Sequence, residues 1–174
     1  MGEAAKRRSA GGPGGYWEVI DEKASPDVIR QFAGSACGPA CAEMLFRVRG
    51  ITEVSQQLVD EVQGMERSTG ESLSAAMNII LGGLGRAGSG KWRGFLVNTL
   101  DDPMGVFNTL RERGSFITTL TCFPGELHMV VIDGLDEQDR IIVRDPYEGT
   151  RYKMTWEAFW NAWQGISVWW SDGA

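Results

Sequence analysis

The sequence has a single histidine, His128, among 174 residues. Metal sites built from several imidazoles are therefore excluded, and any histidine-dependent mechanism must use this residue. Cysteine is also scarce, with three residues, Cys37, Cys41 and Cys122. Three thiols cannot all pair within one chain, so at least one is a functional or a buried free thiol. This favours action in a reducing compartment.

Long apolar runs and an excess of basic residues are missing too. No apolar run approaches the roughly 18–20 residues of a membrane span, and none follows the basic residues near the N-terminus as in a signal peptide. The net charge of −6 disfavours nucleic acids and anionic membranes as partners. The hydrophobic content of 43% is that of a globular protein, and the length suits one domain.

The order of periodic segments predicts an α+β domain over residues 16–174, preceded by a flexible Gly-rich leader over residues 1–15. Apolar residues at helical spacing predict helices over residues 37–49, 53–62, 72–81, 103–113 and 156–163, the second capped by Thr52. Runs of β-branched residues predict strands over 115–122, 127–133 and 140–146 and in the closing segment GISVWW. The loop GGLGRAGSG lacks the spacing of a phosphate-binding loop, and we expect no cofactor.

The stretch QFAGSACGPAC places Cys37 at the start of the first predicted helix. Proline is accepted in a helix only in its first turn, so Pro39 fixes this start. Free N–H groups and the helix dipole at that end favour a thiolate, and the same N–H groups can bind an oxyanion. We expect Gly38 to leave the substrate side of the turn open. These features serve acyl-transfer chemistry.

The CxxxC spacing leaves other uses of the two cysteines open. A zinc site needs two more ligands, and the chain offers Cys122 and His128 without a second close pair. A redox pair normally has the closer CxxC spacing. Cys41, one turn into the helix on its apolar face, and Cys122, at the end of an apolar strand, are better interpreted as buried small side chains. We therefore predict no metal.

His128 and Asp145 interrupt two otherwise apolar strands, and buried polar groups need partners. A tight turn at residues 136–137 would set Asp133 opposite Arg140 and His128 opposite Asp145, although a bulge at Gly134 would change this register. A carboxylate beside the imidazole would hold its tautomer. Gln31, six residues before Cys37, could donate its amide to the same oxyanion as the Cys37 backbone N–H.

Together, Q-x5-C-G-P-A-C, H-M-V-V-I and V-R-D-P-Y-E-G resemble the papain-like cysteine peptidases, and most closely their bacteriocin-processing, double-glycine branch. The ending WEAFWNAWQGISVWW is similar as well. The resemblance covers about residues 27–170. It implies a papain-like fold in which an N-terminal helical half carries the cysteine and a C-terminal antiparallel sheet carries the histidine and the aspartate.

Carried over to these positions, the resemblance implies Cys37 as the nucleophile, His128 as general base and then acid, and Asp145 as the residue that orients it. The oxyanion hole would comprise Gln31 and the Cys37 N–H. The reaction would pass through a thioester, and the substrate would be a protein with glycines before the scissile bond.

The chain lacks the membrane helices of transporter-fused relatives, so it looks more like a bacterial effector or toxin domain used in interbacterial competition. Such a protein would act in the cytosol of a recipient cell, or in that of the producing cell, and be blocked by a dedicated immunity protein. The alternatives are a deamidase or another acyltransferase with the same triad, a leader peptidase for bacteriocin-type precursors, and a binding module without activity. The glycine pairs at 11–12 and 14–15 raise self-processing as a further hypothesis.

Overall fold

The computed structural model describes residues 5–6, 17–65, 69–86, 88, 90–121 and 126–173. The helices are α1 Cys37–Val48, α2 Gln56–Gln63, α3 Gly70–Gly83, α4 Pro103–Arg111 and α5 Trp156–Ala162. The strands are β1 Ala5–Lys6, β2 Glu18–Ala24, β3 Gly90–Leu96, β4 Phe116–Thr121, β5 Leu127–Leu135, β6 Ile141–Asp145, β7 Thr150–Met154 and β8 Trp163–Asp172. They form one antiparallel sheet of order β1-β2-β7-β6-β5-β4-β8-β3. The predicted α+β class is confirmed.

The sheet is buried on both faces by two apolar clusters. One cluster joins α1, α2 and α3 to one face and includes Met129 and Val131 of β5. The other contains residues of α4 and α5 and includes Val130 and Ile132 of the same strand. Successive side chains of a strand point to opposite faces, so the unbroken apolar run of β5 supplies both clusters. The central strand is thereby held between two helical layers.

Helix α1 begins at Cys37, as the position of Pro39 predicts. It ends at Val48, and Gly50 follows with a φ of 77°, a left-handed conformation that glycine adopts at little cost. Residues 38 to 46 of this helix are all buried. The N-terminus of α1 therefore has a fixed place against the sheet.

Several predicted boundaries are wrong. Helix α2 starts at Gln56 and not at residue 53, because Ser55, and not Thr52, supplies the cap by accepting a hydrogen bond from the N–H of Leu58 at 3.2 Å. Strands β2, β3 and β7 were not predicted, and two of them, β2 and β3, precede the predicted strands in the chain. Their charged residues and glycines hide the alternating pattern, as in GKWRGFL of β3.

The predicted leader, residues 1–15, falls almost entirely outside the described residues and stays a prediction. Its described part, Ala5–Lys6, pairs with the start of β2. Cys122, at the end of the predicted strand over 115–122, also lies outside the described residues. Within the described part of the chain, no helix is long and apolar enough to cross a membrane.

Candidate active site

The structure brings His128 of β5 next to the N-terminus of α1. Gly38 makes this approach possible, because a Cβ atom at that position would lie 3.1 Å from Sδ of Met129, the residue after His128. Real Cβ contacts are seldom so short, so α1 could not pack this closely with a larger residue there. Gly38 is buried, so the expectation that it leaves the substrate side open is wrong. Its missing side chain faces the core.

The imidazole of His128 lies between a carboxylate and a thiol. Its Nε2 atom is 2.7 Å from Oδ1 of Asp145, and both side chains are fully buried. Its Nδ1 atom is buried, and no hydrogen-bond partner for it is found in the described part of the chain. The thiol of Cys37, at the N-terminus of α1, interacts with the imidazole ring. The three residues that the sequence singled out thus converge at one place.

The register between β5 and β6 differs from the predicted one. Val131 is opposite Arg144, and Ile132 is opposite Val143. The pairing then shifts by one residue before Gly134, whose φ of 112° is accessible to glycine. Asp133 therefore does not face Arg140, and His128 and Asp145 are not a directly opposed pair. They meet beyond the last paired residues of the two strands.

The ionisable groups of the site shift each other's pKa values. Burial lowers the pKa of His128, but the charge and hydrogen bond of Asp145 and the interaction with Cys37 outweigh burial and raise it to about 9. Burial raises the pKa of the Cys37 thiol, but His128 and the backbone groups of Met129 and Gly38 bring it below its ordinary value. The two shifts favour a thiolate beside an imidazolium.

The second cysteine of the CxxxC motif has the opposite environment. Cys41 is fully buried in the apolar cluster under α1, α2 and α3. Burial raises the pKa of its thiol well above the ordinary value, and the neighbouring Cys37 and Asp145 raise it further. It is therefore a neutral core residue, as its place on the apolar face of the helix indicates. The described residues hold no group of three or more His, Cys, Asp or Glu that could bind a metal.

Gln31 lies in the loop that leads to α1, and its side chain points back into that loop. Its Nε2 group donates to the carbonyls of Ala33, at 2.8 Å, and Gly34, at 3.2 Å. Its Oε1 atom is buried and has no hydrogen-bond partner among the described residues. Its backbone N–H donates to the carbonyl of Pro146, directly after Asp145. The loop is thus attached to the turn that carries Asp145, while the amide donor is engaged.

The amide of Gln56 fixes the same loop, which the sequence did not reveal. Its Nε2 donates to the carbonyl of Arg30 at 2.8 Å, and its Oε1 accepts from the N–H of Phe32 at 3.1 Å. The two bonds hold the backbone on both sides of Gln31. The burial of a glutamine in the first turn of α2 is the structural sign of this role.

Three aromatic residues around His128 were also missed. Trp17 is stacked on its ring, with the ring centroids 6.2 Å apart, and Tyr147 meets it edge-on at 6.3 Å. The hydroxyl of Tyr152 donates to Oδ2 of Asp145 at 2.7 Å. Recognising β7 in the sequence would have placed Tyr152 two residues from Thr150, which pairs with Asp145.

The chain is similar to a known protein family and to a protein of Escherichia coli. Residues 25–168 match the family described as the Peptidase_C39 like family. Cysteine protease effector 1 of Escherichia coli O1:K1:H7 is 35% identical over 158 residues, which are 91% of this chain. The chain spans 29% of the length of that protein.

Two solved structures share the fold. The peptidase domain of Streptococcus ComA, a bi-functional ABC transporter involved in a quorum sensing pathway, has a TM-score of 0.60 at 19% identity, over 82% of this chain and 96% of that domain. The peptidase domain of Streptococcus mutans ComA has a TM-score of 0.55 at 20% identity, over 83% of this chain and 98% of that domain. The family match extends over most of the residues that build the fold and includes all four predicted site residues. The chain therefore belongs to the Peptidase_C39 like family and has a papain-like fold.

Proposed function

We propose that Cys37, His128 and Asp145 are the catalytic triad of an endopeptidase. The observation that carries this proposal is the buried imidazole, which has Nε2 on Asp145 and interacts with the thiol of Cys37 at the N-terminus of α1. A thiolate needs a proton acceptor and an orienting group, and this arrangement supplies both. The raised pKa of His128 and the lowered pKa of Cys37 support the same assignment.

In the proposed reaction, the Cys37 thiolate attacks the scissile carbonyl carbon. The C–N bond breaks as the His128 imidazolium gives its proton to the leaving amine, and a thioester remains on Cys37. Neutral His128 then takes a proton from water, whose oxygen attacks the thioester, and Cys37 leaves as the thiolate. Asp145 stabilises the imidazolium in both steps.

The oxyanion of each tetrahedral intermediate is stabilised by two proposed donors, the Cys37 backbone N–H and the Nε2 group of Gln31. The carbonyls of Ala33 and Gly34 hold this Nε2 group in the free protein. In each tetrahedral intermediate, the oxyanion replaces these carbonyls as the acceptor of this Nε2 group.

We propose a protein substrate cut after a Gly-Gly pair, on the basis of the resemblance to the double-glycine peptidases. A relative named Cysteine protease effector 1 supports a role as a bacterial effector. On this proposal the chain acts as a toxin in the cytosol of a recipient cell, and an immunity protein blocks it.

The test is to express the wild type and Cys37→Ala in bacteria and to compare new protein N-termini by mass spectrometry. Cys41→Ala is the matched control, because it removes a thiol one turn further along the same helix. We expect new termini after Gly-Gly with the wild type and the control and none with Cys37→Ala. Termini that persist in Cys37→Ala would contradict the catalytic assignment.

Other outcomes separate the alternatives. A mass increase of about 1 Da on an intact target would show deamidation through the same thioester chemistry. New termini without preceding glycines would contradict the proposed specificity and leave the triad in place. Cleavage confined to a bacteriocin-type precursor would identify a leader peptidase and contradict the toxin role.

A further inference from the structure

We propose that Tyr152 is a positioning residue for the active site, and that Trp17 holds Tyr152 in place through a second buried hydrogen bond. Both act through Asp145 and His128 and touch no reacting atom. This inference rests on the proposed triad, and it makes strands β2 and β7 part of the machinery that aligns it.

The contacts form a continuous buried chain. Nε1 of Trp17 donates to the hydroxyl oxygen of Tyr152 at 3.0 Å, and that hydroxyl donates to Oδ2 of Asp145 at 2.7 Å. Oδ1 of Asp145 accepts from the backbone N–H of Tyr147 at 2.9 Å and lies 2.7 Å from Nε2 of His128. Trp17 is 4% exposed, Tyr152 1%, and Asp145 and His128 0%.

This arrangement fixes the carboxylate of Asp145 in two directions. The bond on Oδ2 sets the rotation of the carboxylate plane about its last side-chain bond, so that Oδ1 points at the imidazole. A carboxylate held only through Oδ1 could turn about that bond. Charge-assisted hydrogen bonds are short and directional, so the hydroxyl of Tyr152 is suited to this positioning.

Trp17 contributes at both ends of this series of buried contacts. Its indole donates to Tyr152 and also lies on the ring of His128, with an angle of 19° between the planes. The indole thus covers one face of the His128–Asp145 pair and keeps water from it. In a dry environment the hydrogen bond between these charged groups is stronger than in water.

The loss of the Tyr152 hydroxyl would act on the charged and titratable groups around His128. Asp145 of β6 and Cys37 of α1 interact with the imidazole directly. Tyr147 contacts the imidazole edge-on, and the hydroxyl of Tyr152 donates to Asp145. The nearby guanidinium of Arg144 is engaged by Asp133. When the carboxylate of Asp145 is less firmly oriented, it stabilises the His128 imidazolium less. The Cys37 thiolate beside the imidazolium is then stabilised less as well.

The test measures the reactivity of Cys37 in Tyr152→Phe, which removes one oxygen and keeps the ring. The probe is iodoacetamide, followed from about pH 5 to 9.5 by peptide mass spectrometry of the modified thiol. A hydrogen bond to a charged group changes an equilibrium constant by about 10- to 100-fold. Part of this effect is passed on through His128 to the ionisation of Cys37. We expect alkylation near pH 6 to slow by about three- to tenfold.

The matched control is Ser167→Ala, which also removes one buried hydroxyl, bonded at 2.8 Å to that of Thr118 and away from the site. We expect it to keep the alkylation profile of the wild type. On a cleavable peptide, Tyr152→Phe should lower kcat and leave KM nearly unchanged, because the hydroxyl does not touch substrate. If Tyr152→Phe does not fold, Trp17→Phe, which removes the Nε1 donor, decides the question with the same readout.

The outcomes separate this inference from the proposed function. A wild-type Cys37 that reacts like an ordinary thiol would overturn the proposed function and this inference with it. A reactive thiolate in the wild type whose profile is unchanged in Tyr152→Phe would overturn this inference alone. Equal losses in Tyr152→Phe and Ser167→Ala would also overturn it, because the hydroxyl would then act only through stability.

Discussion

Asp145→Asn tests whether the charge of Asp145 raises the pKa of His128. The substitution keeps the size of the side chain and the acceptor Oδ1, which faces Nε2 of His128. The new amide group faces the hydroxyl of Tyr152, which can rotate and accept instead of donate. The geometry of the site is therefore preserved while the negative charge is removed.

The size of the effect follows from the burial of the pair. A hydrogen bond to a charged group contributes about 1.5–3 kcal/mol, and one pKa unit corresponds to about 1.4 kcal/mol. The pKa of His128 is therefore expected to fall from about 9 in the wild type to about 7–8 in Asp145→Asn. The imidazolium that protonates the leaving amine is then lost at a lower pH, so the alkaline limb of the activity profile shifts downward.

The single histidine of the chain makes this pKa directly measurable. In protein without an affinity tag, the imidazole Hε1 proton gives one signal, and its chemical shift can be followed by NMR from about pH 5 to 10. Tyr147→Phe is a useful control, since it keeps the ring against His128 and the backbone N–H on Asp145. An equal pKa in the wild type and Asp145→Asn would refute the role assigned to the carboxylate.

Three further predictions concern packing around the site. Gly38→Ala should lower kcat/KM about tenfold with little change in Tm. The added Cβ atom would press on Met129 at 3.1 Å and displace α1 by a few tenths of an ångström. Unchanged kinetics would contradict this. Cys41→Ala should cost about 1 kcal/mol of unfolding free energy in urea and keep the activity, because the thiol is fully buried; lost activity in a folded variant would give Cys41 a catalytic part. Gln56→Ala should cost about 1–3 kcal/mol, because it removes two bonds to the loop of Gln31; an unchanged urea midpoint would show that other contacts hold the loop.

The sequence predicted the helix start at Cys37 well because proline restricts the backbone by local sterics alone. It predicted the β5–β6 register poorly. One bulge before Gly134 changes every later pair, and nothing in the local pattern decides whether the bulge forms. That His128 and Asp145 still meet reflects the need of two buried polar groups for a partner, which holds in any register.

Gln31 shows a different limit. Its distance from Cys37 along the chain suggested a second oxyanion donor, but spacing cannot say where a flexible amide points. In the structure, the carbonyls of Ala33 and Gly34 compete for its N–H groups. Its role stays a prediction, and the loop around it depends on Gln56, a residue of another helix.

By itself, the sequence determined the local features of this protein: the α+β class, the start of α1, and the difference between a thiol at a helix end and one buried a turn later. These follow from backbone sterics and from apolar periodicity, which act over a few residues. The tertiary structure alone decided how β5, β6 and β7 align and which aromatic residues enclose His128. Such contacts join Trp17 to Tyr152 across 135 positions, and they depend on long-range packing that no short stretch of sequence encodes.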